Sequence, residues 1–573
     1  MQKRWFIKTP PETNVTNQLQ FDLKISALLA SLLAQRQLTT QDEIRSYFNP
    51  SLESLHNPFL MLNMEKACTR LCEAIENNQR VLVYGDYDVD GTTSVAMMFG
   101  VLSKFTETHY YIPDRYEEGY GLSVKGIDFA KEKNIDLLIT LDCGIKEVDN
   151  IAYARSLGMD VIVCDHHTPG KEIPDAIVLD PKQENCEYPY KELCGCGVGW
   201  KLLQALFEQM QWDKNELFDL LDLVAVAIGA DIVPVTGENR VLAKIGLEKL
   251  NFKPRIGIKQ LVEVAGRTFP LSLTSVVFTV APRINAAGRL KSGSRSVELL
   301  LSSGLETAKF ISNEIDSYNS ERRELDKQMT EEALELIELD LEFHERKSTV
   351  LYKEGWSKGV VGIVASRLIE RHYRPTIVLT EHNGVLTGSA RSVGDFNIYE
   401  AINECGHLLK QFGGHHHAAG LTLETANFEQ FRHEFDLIVK SKIALEDQTE
   451  ELIIDCEVNF ADFFLSGESV YQIPRIYKMQ DQMEPFGPLN QQPVFCVRSV
   501  YAKSYRVLKD VHLKIEILDP KNDITLSAIA FNMADKEHLV APGCAFDVAF
   551  TLESNTWNDR TTLQLMVKDI RES

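Results

Sequence analysis

The pattern of apolar and polar positions changes several times along the chain. Residues 1–79 carry apolar positions three and four apart, as in MEKACTRLCEAIENN, which predicts helices. From residue 80 onward, short apolar runs alternate with amphipathic stretches, and this alternation predicts βαβ units and a parallel sheet. The apolar runs are RVLVYG, HYYIP, IDLLITL, DVIVC and AIVLD. Residues 295–341 contain no proline and predict a long helix that connects two lobes.

A second α/β pattern follows at residues 342–448, beginning with STVLYKEG and GVVGIVASRLIERH. Residues 449–573 then carry short alternating strands such as LKIEILDP and AFDVAFTLE, which predict a small OB-like β-barrel. The predicted fold class is therefore α/β, with two α/β domains joined by a long helix and followed by a barrel. The five predicted regions are the helical region 1–79, the parallel-sheet domain with a basic segment 80–294, the connecting helix 295–341, the second α/β domain 342–448 and the barrel 449–573.

The composition of the chain is that of a globular protein with several domains. With 573 residues, 44% of them hydrophobic and 25% charged, the chain has ordinary globular composition and room for several domains. It has no run of about 18 apolar residues, so no transmembrane helix is expected. The opening MQKRWFIKTPPETN lacks the apolar core of a signal peptide, and the 11 cysteines form no disulfide framework. We expect a cytoplasmic protein.

Charge is unevenly distributed along the chain. The net charge of −23 argues against a nucleic-acid partner, but residues 252–296 contain eight basic residues and one acidic residue. Such a segment is either a solvated surface or a local nucleic-acid-binding patch, and charge alone does not decide between them.

Four apolar segments of the first α/β domain end in carboxylate or imidazole side chains. They end at Asp86, Asp88 and Asp90, at Asp142, at Asp165, His166 and His167, and at Asp231. The carboxyl ends of parallel strands face one crevice, so these residues are expected to converge. A single aspartate would indicate a turn or a helix cap, but six aspartates and two adjacent histidines predict a metal site. The donor set suits Mn²⁺ or Mg²⁺, and two ions sharing a carboxylate would suit phosphoryl chemistry.

The motifs DYDVDGTTS, LDCG, CDHH and GADIVP resemble the four motifs of the DHH phosphoesterase family. APRINAAGRL, EGWSKGVVGIVASRL, GSARS and QFGGHHHAAG are similar to further motifs of its single-strand-specific exonucleases, so the resemblance covers essentially the whole chain. It implies a DHH catalytic domain at 80–294 and a DHH-associated domain at 342–448. It also implies two-metal hydrolysis of single-stranded DNA in the 5′→3′ direction, in repair and recombination.

The resemblance also assigns site residues. The implied metal ligands are Asp88, Asp90, Asp142, His166 and Asp231, with Asp142 bridging the ions. Asp86 and His167 would lie beside the metals, Asp165 would orient a histidine, and His415 would close over the substrate from a glycine-rich loop. The implied DNA- and phosphate-binding residues are Arg115, Arg283, Ser389, Arg391, Gly413 and Gly414. For Arg115 and Arg283, a surface salt bridge is the alternative.

Two other functions stay open. A DHH phosphodiesterase for short oligonucleotides or cyclic dinucleotides shares the metal motifs but is usually shorter, and a non-catalytic DNA-replication scaffold loses metal ligands that this chain retains. The resemblance implies single-stranded DNA as partner, with a helicase and a single-strand-binding protein as further partners. We expect a monomer that binds no membrane.

Overall fold

The computed structural model describes residues 3–465, 467–557 and 560–573. The chain divides into two compact units. The first unit consists of Met1–Ile44, Arg322–Gln482 and Gln492–Ser573, and the second consists of Arg45–Glu321 and Met483–Gln491.

The N-terminal region contains one strand as well as helices. Its elements are β1 (Arg4–Ile7), α1 (Thr13–Leu23), α2 (Ala27–Gln35), α3 (Gln41–Phe48) and α4 (Met64–Glu76). The apolar spacing predicts helices only, because a four-residue strand leaves no measurable periodicity.

A five-stranded, wholly parallel sheet forms the centre of the second unit. Its strands are β2 (Val81–Gly85), β3 (Thr108–Tyr111), β4 (Leu137–Leu141), β5 (Asp160–Cys164) and β6 (Ile177–Leu179). Their order is β3-β2-β4-β5-β6. Strands β2 and β4 are buried at every position, as expected when helices cover both faces of a parallel sheet.

Helices make up the rest of the second unit. They are α5 (Val89–Leu102), α6 (Val124–Glu132), α7 (Val148–Ser156), α8 (Gly195–Gln209), α9 (Lys214–Phe218), α10 (Leu221–Ala230), α11 (Gly237–Phe252), α12 (Ile256–Val264), α13 (Leu273–Thr279), α14 (Ala281–Leu290) and α15 (Ser294–Leu301), followed by α16 (Leu305–Leu339), which runs into the first unit. The apolar run before Asp231 was expected to continue the strand pattern, but it is the buried helix α10. Periodicity cannot separate a fully buried helix from a buried strand.

The long helical segment is interrupted near its start. Residues 295–341 predict one continuous helix, whereas α15 and α16 are separate and Ser302, Ser303 and Gly304 lie between them. Serine and glycine are weak helix formers, so a break at this tripeptide is physically reasonable. In the part of the chain that the structure describes, no helix is both long and apolar enough to cross a membrane.

A second, mixed sheet lies in the first unit. Its elements are β7 (Thr349–Glu354), α17 (Val361–Arg371), β8 (Thr376–His382), β9 (Val385–Arg391), α18 (Ile398–Glu404), β10 (Leu409–His415), β11 (Ala418–Glu424) and α19 (Phe428–Lys442). The strand order is β10-β11-β9-β8-β7, and only β7 and β8 pair in parallel. Phe431 and Phe435 of α19 are buried in its core.

The C-terminal part of the first unit is a closed barrel. Its elements are β12 (Glu451–Ile454), β13 (Cys456–Glu457), α20 (Arg475–Asp481), β14 (Phe495–Leu508), β15 (His512–Asp519), β16 (Ile524–Ala530), β17 (Ala545–Trp557) and β18 (Arg560–Glu572). The order β14-β15-β16-β18-β17 closes through pairing of β14 with β17. Strand β15 alternates buried and half-buried positions, the pattern of a strand with one face on a barrel core. The predicted fold class, including the OB-like barrel, is confirmed.

Strand β1 completes this unit by pairing in parallel with β12. Trp5 donates its indole N–H to Asp569 at 2.7 Å, and the guanidinium of Arg571 stacks on the Trp5 ring. The N-terminal strand is thereby attached to the segment that leads into the barrel.

Candidate active site

Aspartates follow four strands of the parallel sheet at the same level. The last residues of β2, β4, β5 and β6 pair with one another across the sheet and form one row: Gly85, Leu141, Cys164 and Leu179. The next residue in each case is an aspartate: Asp86, Asp142, Asp165 and Asp180. Parallel strands in register bring these side chains to one edge of the sheet. The structure therefore brings Asp86, Asp142 and Asp165 together, and it adds Asp180, which the sequence pattern does not single out.

The aspartates after β2 lie at the start of helix α5. Asp88 is the N-cap and accepts a hydrogen bond from the amide of Gly91 at 3.1 Å. Asp90 accepts hydrogen bonds from the amides of Gly195 and Cys196 at 2.7 and 2.8 Å, at the N-terminus of α8. These amides and the helix dipole help to hold the Asp90 carboxylate in a buried site.

His166 lies at the centre of the acidic cluster. Its Nε2 atom is 3.2 Å from Oδ1 of Asp142, 3.5 Å from Oδ2 of Asp231 and 3.9 Å from Oδ2 of Asp90. The Asp142 and Asp231 oxygens are buried and accept no hydrogen bond from the described residues. Gly195 makes this packing possible, because a Cβ atom there would lie 2.6 Å from Cβ of Asp142.

This donor set fits a divalent cation. Two groups of ligand atoms lie within 4.8 Å of one another: Asp90 with His166 and Asp231, and Asp142 with His166 and His167. Buried carboxylate oxygens without donors, combined with an imidazole, suit Mn²⁺ or Mg²⁺. Asp88 lies outside both groups but close enough to raise the pKa of Asp90 by repulsion.

The cluster is electrostatically unfavourable without a cation. Burial, followed by repulsion from Asp88, raises the pKa of Asp90 to about 7. Burial and repulsion from Asp90 hold the pKa values of Asp142 and Asp231 well above the ordinary aspartate value. Perturbed carboxyl groups gathered at one sheet edge are typical of a functional site.

Asp165 supports the two histidines. Its Oδ1 atom accepts from the amides of His166 and His167 at 2.7 and 3.1 Å and from Nδ1 of His167 at 2.7 Å, while Oδ2 accepts from the amide of Ile145 at 2.9 Å. Burial opposes its ionisation, but these bonds hold the pKa of Asp165 below its usual range. Burial lowers the pKa of His166 to about 3, which keeps this imidazole neutral and able to bind a metal.

Asp86 and Arg115 lie close enough to interact electrostatically. Asp86 is buried, and burial followed by repulsion from Asp88 holds its pKa well above the usual value, with Arg115 opposing this shift. The Arg115 guanidinium stacks 4.7 Å from the centre of the Tyr87 ring. Gly288 of α14 allows a close approach, because a Cβ atom there would lie 2.4 Å from the Tyr87 carbonyl oxygen.

The basic segment at residues 252–296 is partly neutralised in the fold. Arg283 is buried, and its guanidinium donates to Asp316 at 2.8 Å and to the carbonyl of Thr279 at 2.8 Å. Four basic residues of the segment form ion pairs: Arg255 with Asp222, Lys259 with Glu263, Arg283 with Asp316, and Arg295 with Glu298 and Glu314. Arg283 therefore forms a salt bridge in this structure, as the alternative interpretation of this residue expects. A phosphate-binding role of Arg283 stays a prediction.

The remaining candidate residues lie in the second sheet, in the first unit. Ser389 and Arg391 are on β9, and Gly413, Gly414 and His415 are on β10. Strand β11 lies between β9 and β10. Its Gly420 pairs with Ser389 on one side and Gly413 on the other, and its Ala418 pairs with Arg391 and His415 in the same way. QFGGHHHAAG predicts a loop, but it is a β-hairpin with His416 and His417 at its turn.

Arg391 is held beside the N-terminus of α17. It donates to Oγ of Ser389 at 2.7 Å and to the carbonyl of Ala390 at 2.8 Å. A Cβ atom on Gly362 would lie 2.9 Å from the Arg391 guanidinium and 3.1 Å from Oγ of Ser389, so the glycine lets both groups lie close to the first turn of the helix. An arginine, a hydroxyl and helix amides at one place can bind a phosphate group.

Comparisons with known proteins cover most of the chain. The DHH family N-terminal domain matches residues 80–228, the DHHA1 domain residues 346–441 and the RecJ OB domain residues 455–569. The single-stranded-DNA-specific exonuclease RecJ of Bacillus subtilis is 36% identical, over 99% of this chain and 70% of its own length. RecJ of Salmonella typhimurium is 34% identical, over 98% of both chains. The chain belongs to the RecJ family.

Solved RecJ structures agree with this assignment. The Thermus thermophilus RecJ structure in complex with Mn²⁺ has a TM-score of 0.84 and 27% identity, covering all of this chain and 80% of its own. The corresponding structure with Mg²⁺ has a TM-score of 0.78 and 26% identity, with 78% of its own chain covered. Divalent metal cofactors of the predicted kind are therefore established for this family.

One residue beside this RecJ site is missed by sequence reasoning. The hydroxyl of Tyr120 donates to the carbonyl of Asp142 at 3.1 Å and lies 3.1 Å from Nε2 of His167. Its motif, YEEGYGL, contains no charge pattern that points to the metal site. Only the tertiary fold brings this loop to the strand ends.

Proposed function

We propose that this chain is an exonuclease specific for single-stranded DNA, which hydrolyses phosphodiester bonds from the 5′ end with divalent metal ions and acts in DNA repair and recombination. The observation that carries the proposal is the cluster of Asp90, Asp142 and Asp231 around His166, within 3.2–3.9 Å of its Nε2 atom. Relatives that bear the name single-stranded-DNA-specific exonuclease, at 34–36% identity, support the substrate.

The metal-binding roles combine the family resemblance with the donor atoms. Asp88, Asp90, Asp142, His166 and Asp231 would hold two Mn²⁺ or Mg²⁺ ions, and the resemblance gives Asp142 as the ligand that the two ions would share. The proximity of Asp90, Asp142 and Asp231 to His166 supports this set, whereas Asp88 rests on the resemblance. Such a pair of ions supplies Lewis acidity for attack of water on a phosphodiester. The chain itself supplies a neutral His166 and a fixed Asp90.

The residues next to these ligands hold protons and orient rings. Asp165 accepts the Nδ1 proton of His167 and fixes the plane of that ring. His167, whose Nε2 atom lies 3.1 Å from the Tyr120 hydroxyl, would exchange a proton with water or a phosphate oxygen. Asp86, buried with a raised pKa, can hold a proton or a water molecule at the same edge.

Phosphate binding is assigned to the second sheet. Arg391, Ser389, Gly413, Gly414 and His415 would bind the 5′-terminal phosphate and the adjacent backbone. The Arg391–Ser389 hydrogen bond supports this role, because it aligns the guanidinium with the hydroxyl. Arg115 and Arg283 would contact further phosphates, and the OB-like barrel would bind the strand through charge and base stacking.

Partners and location complete the proposal. An enzyme that requires a single-stranded end depends on strand separation, so a helicase would supply its substrate. A single-strand-binding protein would occupy the same strand. We infer that the chain acts as a monomer in the cytoplasm.

A labelled-strand assay tests this function. Single-stranded DNA labelled at the 3′ end is incubated with Mn²⁺, Mg²⁺ or a chelator, and blunt duplex DNA is run beside it. Progressive shortening of the labelled single strand in metal, survival in chelator and resistance of the duplex are expected. Asp142→Asn serves as the inactive control.

Other outcomes would contradict the proposal. Release of the 3′ label as the first small product would reverse the polarity. Equal cleavage of duplex and single strand would remove the strand specificity. Intact strands under every metal condition, with hydrolysis of dinucleotides or cyclic dinucleotides, would favour a small-substrate phosphodiesterase.

A further inference from the structure

The loop that follows the candidate ligand Asp231 has a strained backbone. Ile232 has a φ angle of +60° and a side chain that is 69% exposed. A β-branched residue in the left-handed region is conformationally unfavourable and persists only where its surroundings fix it. Contacts on the next residues therefore help to hold this turn.

Two sets of contacts hold this loop. On one side, the carbonyl of Pro234 accepts from the Tyr190 hydroxyl at 3.2 Å and from the Asn239 side-chain amide at 3.0 Å. On the other side, the amide of Val235 donates to the carbonyl of Pro488 at 2.8 Å. Pro488 belongs to Met483–Gln491, hereafter the strap, which packs in the second unit although the residues on both sides of it belong to the first unit.

The strap is itself firmly fixed. The Arg240 guanidinium donates to the carbonyl of Met483 at 2.9 Å and stacks 3.9 Å from the centre of the Tyr47 ring. The Tyr47 hydroxyl donates to the carbonyl of Met483 at 3.2 Å and to Oδ1 of Asn490 at 2.8 Å. The Asn490 amide donates to the carbonyls of Met483 and Pro485 at 3.0 and 2.8 Å.

We propose that the strap Met483–Gln491 positions Asp231 for metal binding, acting through the Pro488–Val235 hydrogen bond and the packing of Gly487 against Val235. The strap lies inside the region that matches the RecJ OB domain, so that region contributes a supporting segment to the catalytic unit as well as a barrel. The inference rests on the proposed metal-binding role of Asp231.

Gly487→Ala is a small change aimed at this contact. A Cβ atom on Gly487 would lie 2.4 Å from Cγ2 of Val235, so the added methyl group must shift either the buried Val235 side chain or the strap and thereby disturb this contact. Gly304→Ala is the matched control, because its Cβ would meet only Thr307 at 3.7 Å, an ordinary contact. Tyr47→Phe is the second test variant, because it removes the two hydroxyl contacts to the strap and keeps the ring beneath Arg240.

Mn²⁺ binding is measured on the full chain without DNA, by the electron paramagnetic resonance signal of free Mn²⁺. The melting temperature is measured in chelator. We expect Gly487→Ala to weaken one of two Mn²⁺ sites by about tenfold, as supporting residues of metal ligands typically do. Gly304→Ala should match the wild type. In the Asp231→Asn background, Gly487→Ala should cause no further loss, because both changes act on the same ligand.

The following results test whether the strap positions Asp231. The positioning role would be overturned if Gly487→Ala bound Mn²⁺ as tightly as the wild type. It would also be overturned if the losses of Mn²⁺ affinity caused by Gly487→Ala and Asp231→Asn simply added. Either result would leave the proposed function intact. If Gly487→Ala does not fold, Tyr47→Phe decides by the same measurements. Absence of Mn²⁺ binding by the wild type would overturn the proposed metal site and this inference together.

Discussion

The Nε2 atom of His166 lies 3.2 Å from Oδ1 of Asp142, and the two residues follow the neighbouring strands β5 and β4. Both strands end in the same row of the sheet, which brings Asp142 and the Asp165–His166 segment to one edge. Asp142 adopts a left-handed φ of +60°, a conformation that aspartate and asparagine tolerate better than other non-glycine residues.

Asp142→Asn is expected to abolish cleavage while preserving the fold, because asparagine keeps the backbone conformation and removes the anionic ligand. Loss of several kcal/mol of charge stabilisation corresponds to a fall in kcat/KM of about 10³-fold or more. Steady-state cleavage of single-stranded DNA measures it. The matched control is Asp180→Asn, a buried aspartate at the end of strand β6 that lies outside the ligand groups. Equal losses in the two variants would refute the ligand assignment.

The metal-free protein is expected to lose stability as the pH rises. A carboxyl group with a raised pKa in the folded state binds its proton more tightly there, so its contribution is fully present below the unfolded pKa of about 3.9 and is lost as the pH rises through the folded value. For Asp90 that value is about 7. Burial and repulsion from Asp90 shift the pKa of Asp142 in the same direction.

Thermal melts in chelator from pH 5 to pH 8 test this dependence. Asp142→Asn removes one of the repelling groups, so its melting temperature should exceed that of the wild type by about 2 °C or more at pH 8, with a smaller gap at pH 5. In saturating Mn²⁺, the wild type should have the higher melting temperature of the two proteins. A gap that is constant across this pH range would contradict the expected repulsion.

Asp165→Asn is expected to reduce both Mn²⁺ affinity and activity by about 10–100-fold, the usual effect of changing a partner of a metal-binding histidine. The amide can still accept one of the backbone hydrogen bonds, but it no longer offers a charge to Nδ1 of His167. Mn²⁺ titration and cleavage kinetics measure the two effects. Normal Mn²⁺ affinity combined with a lower melting temperature would show that Asp165 serves folding alone.

Arg391→Lys is expected to lower the preference for 5′-phosphorylated over 5′-hydroxyl DNA by about tenfold, because a charge-assisted hydrogen bond contributes about 1.5–3 kcal/mol and lysine lacks the planar fork. The measurement compares kcat/KM for the two substrates. Arg367→Lys on the same domain is the control, since Arg367 is half exposed and pairs with Glu370. An unchanged preference in Arg391→Lys would place the terminal phosphate elsewhere.

Much of the fold follows from local patterns. Strands β2, β4 and β5 are recognisable as short apolar runs between amphipathic stretches, and the barrel strand β15 is recognisable by its alternation of buried and half-buried positions. The patterns did not reveal that α10 is a helix or that QFGGHHHAAG is a hairpin. Uniform burial erases the period in the first case, and glycines obscure strand propensity in the second.

Local sequence patterns are enough to select candidate metal ligands, because carboxylates and imidazoles that follow parallel strands lie at one edge of the sheet. The support of these residues, and the approach of Asp231 from the end of helix α10, depend on tertiary contacts. The amides of Gly195 and Cys196 that bind Asp90, the Tyr120 hydroxyl beside His167 and the strap behind Asp231 come from segments far away in sequence. Such contacts depend on packing between elements that are distant in the sequence, so neither local periodicity nor composition predicts them.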